Sequence, residues 1–325
     1  MRFHKPRLFM TEADMFMIKK IFDSGWVSVG KYVAELEQHF KSKFSVKYAI
    51  GCSSCTQGLI IAIKSAGWKN MKVAVPSFTW PSSVYSIVMS NNEPVYCDIN
   101  KDNWLMTGNY GSETDAILSV DIFGNNSQQK ENLPNPVIFD AAHGYGLNNL
   151  GNRGLAEVVS FSHTKIITAC EGGMILTNDD ELAIKALELR QLSSRMTEVN
   201  AFIALKAIEH YDEIVEFKNN AIKKYKDSLT FDYSLQQVPI DTNNSVFAIL
   251  LKSPRDKNRV IKAMITAGIE TKSYYEPVVN GLYVTDDIYS RIVALPIYYE
   301  MDQNLIINTI NKAVYESNFY SSLLS

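Results

Sequence analysis

The first forty residues alternate apolar and polar positions with the three-to-four-residue period of amphipathic helices. Residues 11–23 predict one such helix, with Thr11 as its N-cap and Gly25 just beyond its end. Residues 31–42 predict a second helix of the same kind. The basic first residues are followed by no unbroken apolar stretch of signal-peptide length, so we expect no signal peptide.

Beyond residue 47 the pattern changes to short, almost wholly apolar runs bounded by turn residues. Helical patterns lie between some of the runs, near 56–66 and 79–89. The runs that predict strands are 48–50, 73–75, 95–98, 117–120, 137–139, 158–161 and 172–177. Strands that are apolar on both faces are typical of a mainly parallel sheet covered by helices. The alternation therefore predicts an α/β fold with a seven-stranded type of central sheet.

The last third of the chain has a different pattern. From residue 180 a stretch rich in Ala, Leu, Glu and Lys predicts helices that continue, after a break at 193–194, to about 228. A strand at 245–251 and a helix at 255–267 predict a smaller α+β unit. We therefore predict a large domain over residues 1–205 and a small C-terminal domain over 206–325.

The composition excludes several classes of protein. Hydrophobic residues make up 46% of the 325 positions, which excludes wholesale disorder. The 32 basic and 35 acidic side chains nearly balance, so the chain lacks the charge typical of proteins that bind nucleic acid or acidic membranes. No stretch approaches the roughly 18 apolar residues of a membrane span. We expect a cytoplasmic protein with neither a nucleic-acid nor a membrane partner.

Four cysteines fit a reducing compartment, and two of them form the CxxC motif of Cys52 and Cys55. Such a pair can be redox-active or can supply half of a metal site. Because Cys97 and Cys170 stand alone, no second pair completes a zinc cage, and we predict no metal. The redox pair remains an alternative.

The same segment, GCSSCTQG, follows a predicted strand and opens a predicted helix. Free backbone amides at a helix N-terminus, together with the hydroxyls of Ser53, Ser54 and Thr56, can bind a phosphate. An ordinary helix cap explains the same residues without a ligand.

Further reactive or aromatic side chains follow the ends of other predicted strands. Asp140 ends the run before Ala-Ala-His143, Lys165 precedes a glycine-rich turn, and Trp80 follows the run at 73–75. Taken singly, these residues suit a turn or helix-cap aspartate, a structural histidine, a surface lysine and a core tryptophan. Ligands gather at the carboxyl edge of such sheets, however, and all of these residues fall there.

Together they provide the parts of a pyridoxal 5'-phosphate (PLP) site. A lysine near apolar walls can form a Schiff base with the cofactor aldehyde, and a carboxylate can keep the pyridine nitrogen protonated. A flat aromatic residue can stack on the ring, and a helix N-terminus can take the phosphate. The sequence therefore favours PLP as cofactor.

At this point the chain resembles the DegT/DnrJ/EryC1/StrS family of PLP-dependent sugar aminotransferases, which have the aspartate aminotransferase (type I) fold. The resemblance runs over nearly the whole chain and rests on an ordered set of motifs. These are GWVSVGKYVAELEQHF at 25–40, SSCTQGL at 53–59, VPSFTW at 75–80, FDAAH at 139–143, SFSHTK at 160–165 with EGG at 171–173, SRMTEVNAFIAL at 194–205, GIETKSYYEP at 268–277 and ALPIY at 294–298.

The resemblance implies a role for each matching residue. Lys165 attaches the cofactor and then carries a proton, whereas a histidine replaces it in the family's sugar dehydratases. Asp140 pairs with the pyridine nitrogen, and His143 sits beside the phenolic oxygen. The remaining cofactor contacts are Trp80, which stacks on the ring, and the phosphate-binding residues Ser54, Cys55 (through its amide), Thr56 and Ser160.

The resemblance also implies a homodimer with shared active sites. The expected reaction moves an amino group from glutamate to a nucleotide-linked keto-deoxysugar for surface polysaccharide, such as O-antigen, or a related glycan. Two alternatives remain open: a family member that uses a non-nucleotide or atypical keto substrate, and a catalytically silent PLP-binding regulatory protein.

The chain departs from the family pattern mainly where substrate is expected. Only QLSS separates Arg190 from Arg195, where the family has a longer loop ending in an asparagine that reaches the partner's phosphate. Ser193 takes that asparagine's position. Asn280 and Tyr274 stand where many members have histidines, and Cys55 replaces a glycine of the phosphate turn.

Overall fold

A computed structural model describes residues 1–107, 113–127, 135–238 and 240–323. Its larger unit is built on a seven-stranded sheet with the strand order β1-β7-β6-β5-β4-β2-β3. The strands are β1 (Tyr48–Cys52), β2 (Lys72–Pro76), β3 (Glu93–Cys97), β4 (Ala116–Val120), β5 (Val137–Asp140), β6 (Ala156–Ser160) and β7 (Gly173–Thr177). The predicted α/β fold is confirmed, and every predicted strand of this unit is present.

Strands β2 to β6 pair in parallel, whereas β7 runs antiparallel to both β6 and β1. A parallel return needs a long crossover, usually through a helix. The connection from β6 to β7, residues 161–172, contains no helix and turns the chain back beside the strand it has just left. The sequence predicts this strand but not its direction, and the turn carries Lys165.

Helices cover both faces of the sheet. Neighbouring residues of a strand point to opposite faces, so Val158 and Ile175 pack into one core while Val159 and Met174 pack into the other. The helices of this unit are α1 (Glu12–Asp23), α2 (Lys31–Phe44), α3 (Cys55–Ser65), α4 (Pro81–Met89), α5 (Asp180–Ser193) and α6 (Glu198–Glu209). Both faces of the sheet are therefore covered by apolar side chains, so polar side chains that carry chemistry are expected at the ends of the strands.

The predicted start of α1 is confirmed by a capping box. The Thr11 hydroxyl accepts a hydrogen bond from the Asp14 amide at 3.2 Å, and the Asp14 carboxylate accepts one from the Thr11 amide at 2.9 Å. Gly25 has a positive φ of 70° just after the helix, where glycine adopts the left-handed region most easily.

The smaller unit follows α7 (Tyr211–Ser228) and has its own apolar core. Its sheet is antiparallel in the order β10-β9-β8, and α8 and α10 pack together beside it. Its elements are β8 (Tyr233–Leu235), β9 (Phe247–Leu251), α8 (Pro254–Thr266), α9 (Tyr283–Arg291), β10 (Ile292–Leu295) and α10 (Gln303–Leu323). The strand and helix predicted here correspond to β9 and α8, while β8, β10, α9 and α10 are additions to the prediction.

Helix α7 belongs to both units. Ile214, in its first half, packs into a core of the large unit, and Ala221 and Tyr225, in its second half, pack into the small one. The division at residues 205 and 206 stays a prediction. Among the described residues, no helix combines the length and the apolar character needed to cross a membrane.

A cavity of about 550 Å³ lies where the two units meet. Residues just past β2, β4, β5 and β6 form one side of it, and α7, β9 and the chain from 270 to 275 form the other. The fold thus brings the carboxyl edge of the sheet, with the side chains predicted there, against the small unit.

Candidate active site

Lys165 lies in the turn between β6 and β7 and reaches into the cavity. Its Nζ is 2.9 Å from Nε2 of His143. Burial lowers the pKa of Lys165, and the opposing effects of Cys55 and Asp140 are smaller. A lysine with a lowered pKa has a larger fraction of neutral amine, which is the nucleophilic form.

His143 connects Lys165 to the small unit. Its Nδ1 is 2.7 Å from the Ser245 hydroxyl, and its Nε2 is also 3.3 Å from the Tyr275 hydroxyl. Burial, with the cations of Lys165 and Lys218 nearby, holds the pKa of His143 well below its usual value. The ring is therefore neutral, so Nε2 accepts from Lys165 and Nδ1–H donates to Ser245. His143 can therefore orient the lysine amine by accepting a hydrogen bond from it.

Asp140 ends β5 and is buried at the inner wall of the cavity. Its carboxylate accepts hydrogen bonds from the Ser83 hydroxyl at 2.6 Å and from the Ala142 amide at 3.1 Å. Burial raises the pKa of Asp140, and no basic side chain in the described part of the chain forms an ion pair with it. Because a buried carboxylate is stabilised by a positive partner, a protonated ring nitrogen of a cofactor suits this position.

The start of α3 forms the expected anion-binding cup. Ser54 caps the helix and accepts from the Gln57 amide at 3.2 Å, while the amides of Cys55 and Thr56 have no carbonyl of their own helix to bind. Ser54, Cys55, Thr56 and Ser160 all line the cavity. The positive end of the helix dipole adds to the attraction for a phosphate.

Gly173, the first residue of β7, passes directly beneath this cup. A Cβ atom at Gly173 would lie 2.7 Å from the Cys55 amide nitrogen and 2.7 Å from the Ser54 carbonyl carbon. A larger residue would push the cup out of place, so the glycine-rich turn after Lys165 also shapes the phosphate site.

Cys55 keeps its amide in the cup and turns its side chain away from it. Its Sγ is 3.6 Å from the Val158 carbonyl oxygen and 3.9 Å from the Asp140 carboxylate, and burial raises the pKa of the thiol. Burial also raises the pKa of Cys52 to about 12. Two thiols that resist ionisation are poor redox nucleophiles, which argues against the redox interpretation of the CxxC motif.

Trp80 stands at the N-terminus of α4 with 58% of its surface exposed, and it lines the cavity. Its ring lies edge-on to Tyr275, with centroids 6.4 Å apart. A large exposed ring held at a cavity wall is suited to stacking on a planar ligand.

Ser193, and Ser53 among the hydroxyls considered for the phosphate, do not line the cavity of their own chain. Ser193 is exposed, and its hydroxyl donates to the Leu189 carbonyl at 2.8 Å. The next residue, Ser194, instead binds the phosphate segment, with its Oγ 2.9 Å from that of Ser53. The role of Ser193 toward a partner subunit stays a prediction.

Comparison with known proteins matches this arrangement to a family. The profile of the DegT/DnrJ/EryC1/StrS aminotransferase family matches residues 9–313. The chain belongs to this family. A curated relative, the GDP-perosamine synthase of Caulobacter vibrioides, is 30% identical over an alignment of 315 positions that covers 84% of this chain and 83% of that protein. The predicted family, the class of PLP-dependent aminotransferases and the cofactor PLP are thereby confirmed.

Solved structures with lower identity share the fold. DesI, determined in the presence of its TDP-sugar product, has a TM-score of 0.84 at 19% identity, covering 99% of this chain and 95% of that one. NtdA from Bacillus subtilis, determined with bound cofactor PMP, has a TM-score of 0.83 at 19% identity, covering 95% and 83%. A family member from Brucella abortus has a TM-score of 0.79 at 23% identity, covering 92% and 94%.

Several residues that line the cavity, or that contact the side chains lining it, have no role in the prediction from sequence. Ser83 binds Asp140, Ser245 and Tyr275 contact His143, and Lys218 donates to the Ser245 carbonyl. The signal for Lys218 is present in the sequence, since it falls four residues after Ile214 within the apolar stripe of α7. A lysine in such a stripe is buried, and a buried lysine indicates a special environment. The serines carry no comparable signal.

Proposed function

We propose that this aminotransferase moves an amino group from glutamate to a keto-sugar carried on a nucleotide. The observation that carries the proposal is the Lys165 amine, held 2.9 Å from a neutral His143 in a cavity with a phosphate cup at one end. The relative named GDP-perosamine synthase supports a nucleotide-sugar substrate, as does the DesI structure with its TDP-sugar.

Each residue of the cavity has a distinct task in this reaction. Bound PLP supplies an electron sink next to the reacting carbon. Lys165 would hold the cofactor and would move a proton at its Nζ, with His143 as a hydrogen-bond acceptor. Asp140 balances the charge at the ring nitrogen, and Ser83 holds that carboxylate in place.

The acceptor can be tested with the pyridoxamine form of the enzyme. We expect this form to return to the lysine-linked PLP spectrum when it is mixed with a nucleotide-linked keto-sugar, with formation of the amino-sugar detected by mass. Free keto-sugars serve as the matched comparison. Conversion by free keto-sugars alone would instead support the atypical-substrate alternative, which the short turn between Arg190 and Arg195 favours.

The silent regulatory alternative makes a different prediction. It requires PLP binding without amino transfer, whereas the Lys165–His143 contact and the lowered lysine pKa are those of a working site. A protein that binds PLP but is never converted by any amino acid would support that alternative.

We also propose a homodimer, in which Ser193 of each chain reaches toward the other's phosphate site. Met15 and Phe22 lie seven residues apart on one side of α1, and with Trp26 they are 56%, 60% and 66% exposed. Apolar side chains exposed together mark association surfaces. Sedimentation should give twice the chain mass for the wild type. Phe22→Glu should lower this mass, whereas the control Tyr283→Glu, on α9, should leave it unchanged.

The proposed biological setting is the synthesis of a surface polysaccharide or a related glycan in the cytoplasm. It follows from the proposed substrate, because amino-deoxysugars on nucleotides are building blocks of such glycans. Loss of the amino-sugar from the cell's glycan after inactivation of Lys165 is the expected result.

A further inference from the structure

Lys218 is a buried cation that forms no ion pair within the described part of the chain. It lies on α7 with 8% of its surface exposed, and its Nζ donates one hydrogen bond, to the Ser245 carbonyl at 3.0 Å. An ammonium group has three donors. None of the ion pairs among the described residues includes Lys218. Burial lowers its pKa to about 8, with no acidic neighbour opposing the shift.

This lysine faces the cavity that holds the reacting groups. Lys218, Ser245, His143 and Lys165 all line it, and they form a continuous series of contacts. Ser245 accepts from Lys218 through its carbonyl and meets His143 through its hydroxyl, and His143 meets Lys165. Along this series of contacts, Ser245 and His143 are the two residues between Lys218 and Lys165.

The acidic side chains of the cavity have other partners or positions. Glu270 pairs with Lys272 at 2.6 Å, and Asp140 is held by Ser83. Glu171 is exposed. A buried ammonium without a carboxylate costs free energy, and an anionic ligand that enters the cavity would remove that cost. The imidazole of His4, which also lines the cavity, is neutral because burial and the charge of Lys218 lower its pKa to about 4.

We propose that Lys218 binds the α-carboxylate of the amino donor and so holds the donor next to the cofactor. The inference rests on the proposed function, because it names the residue that recognises one of that reaction's two substrates. It adds a substrate-binding residue on α7, outside the motifs through which the sequence resembles its family.

The position of Lys218 favours the donor over the nucleotide-sugar. An α-carboxylate is attached to the same carbon as the reacting amino group, so its oxygens stay close to Lys165. The diphosphate of a nucleotide-sugar is attached to the anomeric carbon of the sugar. When the ketone is on the ring carbon opposite the anomeric carbon, the diphosphate lies on the far side of the ring from the reacting carbon. A deeply buried lysine that only two residues, Ser245 and His143, separate from Lys165 is therefore placed for the carboxylate.

The test measures binding of glutarate, a dicarboxylate without an amino group, to the PLP-loaded enzyme by calorimetry. Loss of a charged hydrogen bond predicts a dissociation constant about 10- to 100-fold higher for Lys218→Met, with most of the affinity kept by Lys218→Arg. Lys257→Met is the matched control, because Lys257 is also a buried lysine bound to a backbone carbonyl, that of Tyr289, but lies outside the cavity. Its glutarate affinity should match the wild type.

A second titration separates the two possible anions. GDP-mannose, a nucleotide-sugar without a ketone, should bind Lys218→Met and wild type equally. Unchanged glutarate affinity in Lys218→Met, or weakened GDP-mannose binding in its place, would overturn the proposal. Retained PLP absorbance and a single cooperative unfolding transition establish that the variant is folded. If Lys218→Met does not fold, Lys218→Gln serves the same test.

The glutamate half-reaction distinguishes failure of this inference from failure of the proposed function. If no amino acid converts the wild-type enzyme to its pyridoxamine form, the proposed function fails. If glutamate converts the wild type, and Lys218→Met is saturated at the same glutamate concentration, only the assignment of Lys218 fails.

Discussion

The two sides of the cavity differ in how fully their polar groups are paired. On the cofactor side, Asp140 accepts two hydrogen bonds, and the start of α3 offers its amides to a phosphate. On the small-unit side, Lys218 is buried and donates to one carbonyl of the described residues, and Tyr274 and Asn280 stand where the family pattern has histidines. The cofactor side is organised before anything binds, whereas the substrate side retains an unbalanced charge. We interpret this difference as a conserved reaction combined with a changed substrate preference.

The largest expected effect comes from the cofactor side. Lys165→Ala removes the amine that we propose to hold PLP and to move the proton, so turnover should fall by more than about 10³-fold. The visible band of the lysine-linked cofactor should also be lost while PLP still binds, as measured by absorbance after gel filtration. An active Lys165→Ala enzyme would show that the reacting amine lies elsewhere.

Asp140 should come next. Asp140→Asn keeps the shape but removes the charge that balances the ring nitrogen, so we expect turnover to fall about 10²- to 10³-fold. Ser83→Ala removes only one hydrogen bond to the same carboxylate and should cost about fivefold. Initial rates at saturating substrates provide the comparison, and equal losses in the two variants would mean that the charge of Asp140 is not used.

Lys218 should make stability depend on pH. Its pKa is about 8 in the folded protein and 10.5 in the unfolded chain, so between these values the unfolded chain binds more protons. Stability then rises with pH, by up to about 3 kcal/mol, across this window. Denaturant unfolding should show the rise in the wild type relative to Lys218→Met. Parallel curves for the two proteins would mean that Lys218 is not a buried ammonium.

The smallest effect is expected at the altered positions of the substrate side. Tyr274→His restores the histidine of the family pattern at the cavity wall and should change the preference among acceptor sugars by about tenfold. The glutamate half-reaction should stay within about twofold, because the motifs of the cofactor side are untouched. Stopped-flow measurement of both half-reactions tests whether the two sides act independently, and a large loss in the glutamate step would show that they do not.

The sequence predicts the parts of the structure that depend on local pattern. Apolar runs predict the strands, and the Thr11 cap predicts the start of the first helix. The residues that the resemblance assigns to the cofactor also meet in one cavity, with the exception of Ser193. The direction of β7 could not be predicted, because it depends on a turn whose path is set by packing. The contacts of Ser83, Ser245 and Lys218 join segments far apart in the chain, and only the tertiary fold brings them together.

The most direct test of the account is a spectral titration of the PLP-loaded wild-type enzyme with L-glutamate. We predict that the visible band of the lysine-linked cofactor is replaced by that of the pyridoxamine form, and that 2-oxoglutarate reverses the change. A band that stays unchanged at every glutamate concentration, while other amino acids also fail, would contradict the assignment of Lys165, His143 and Asp140 to amino transfer.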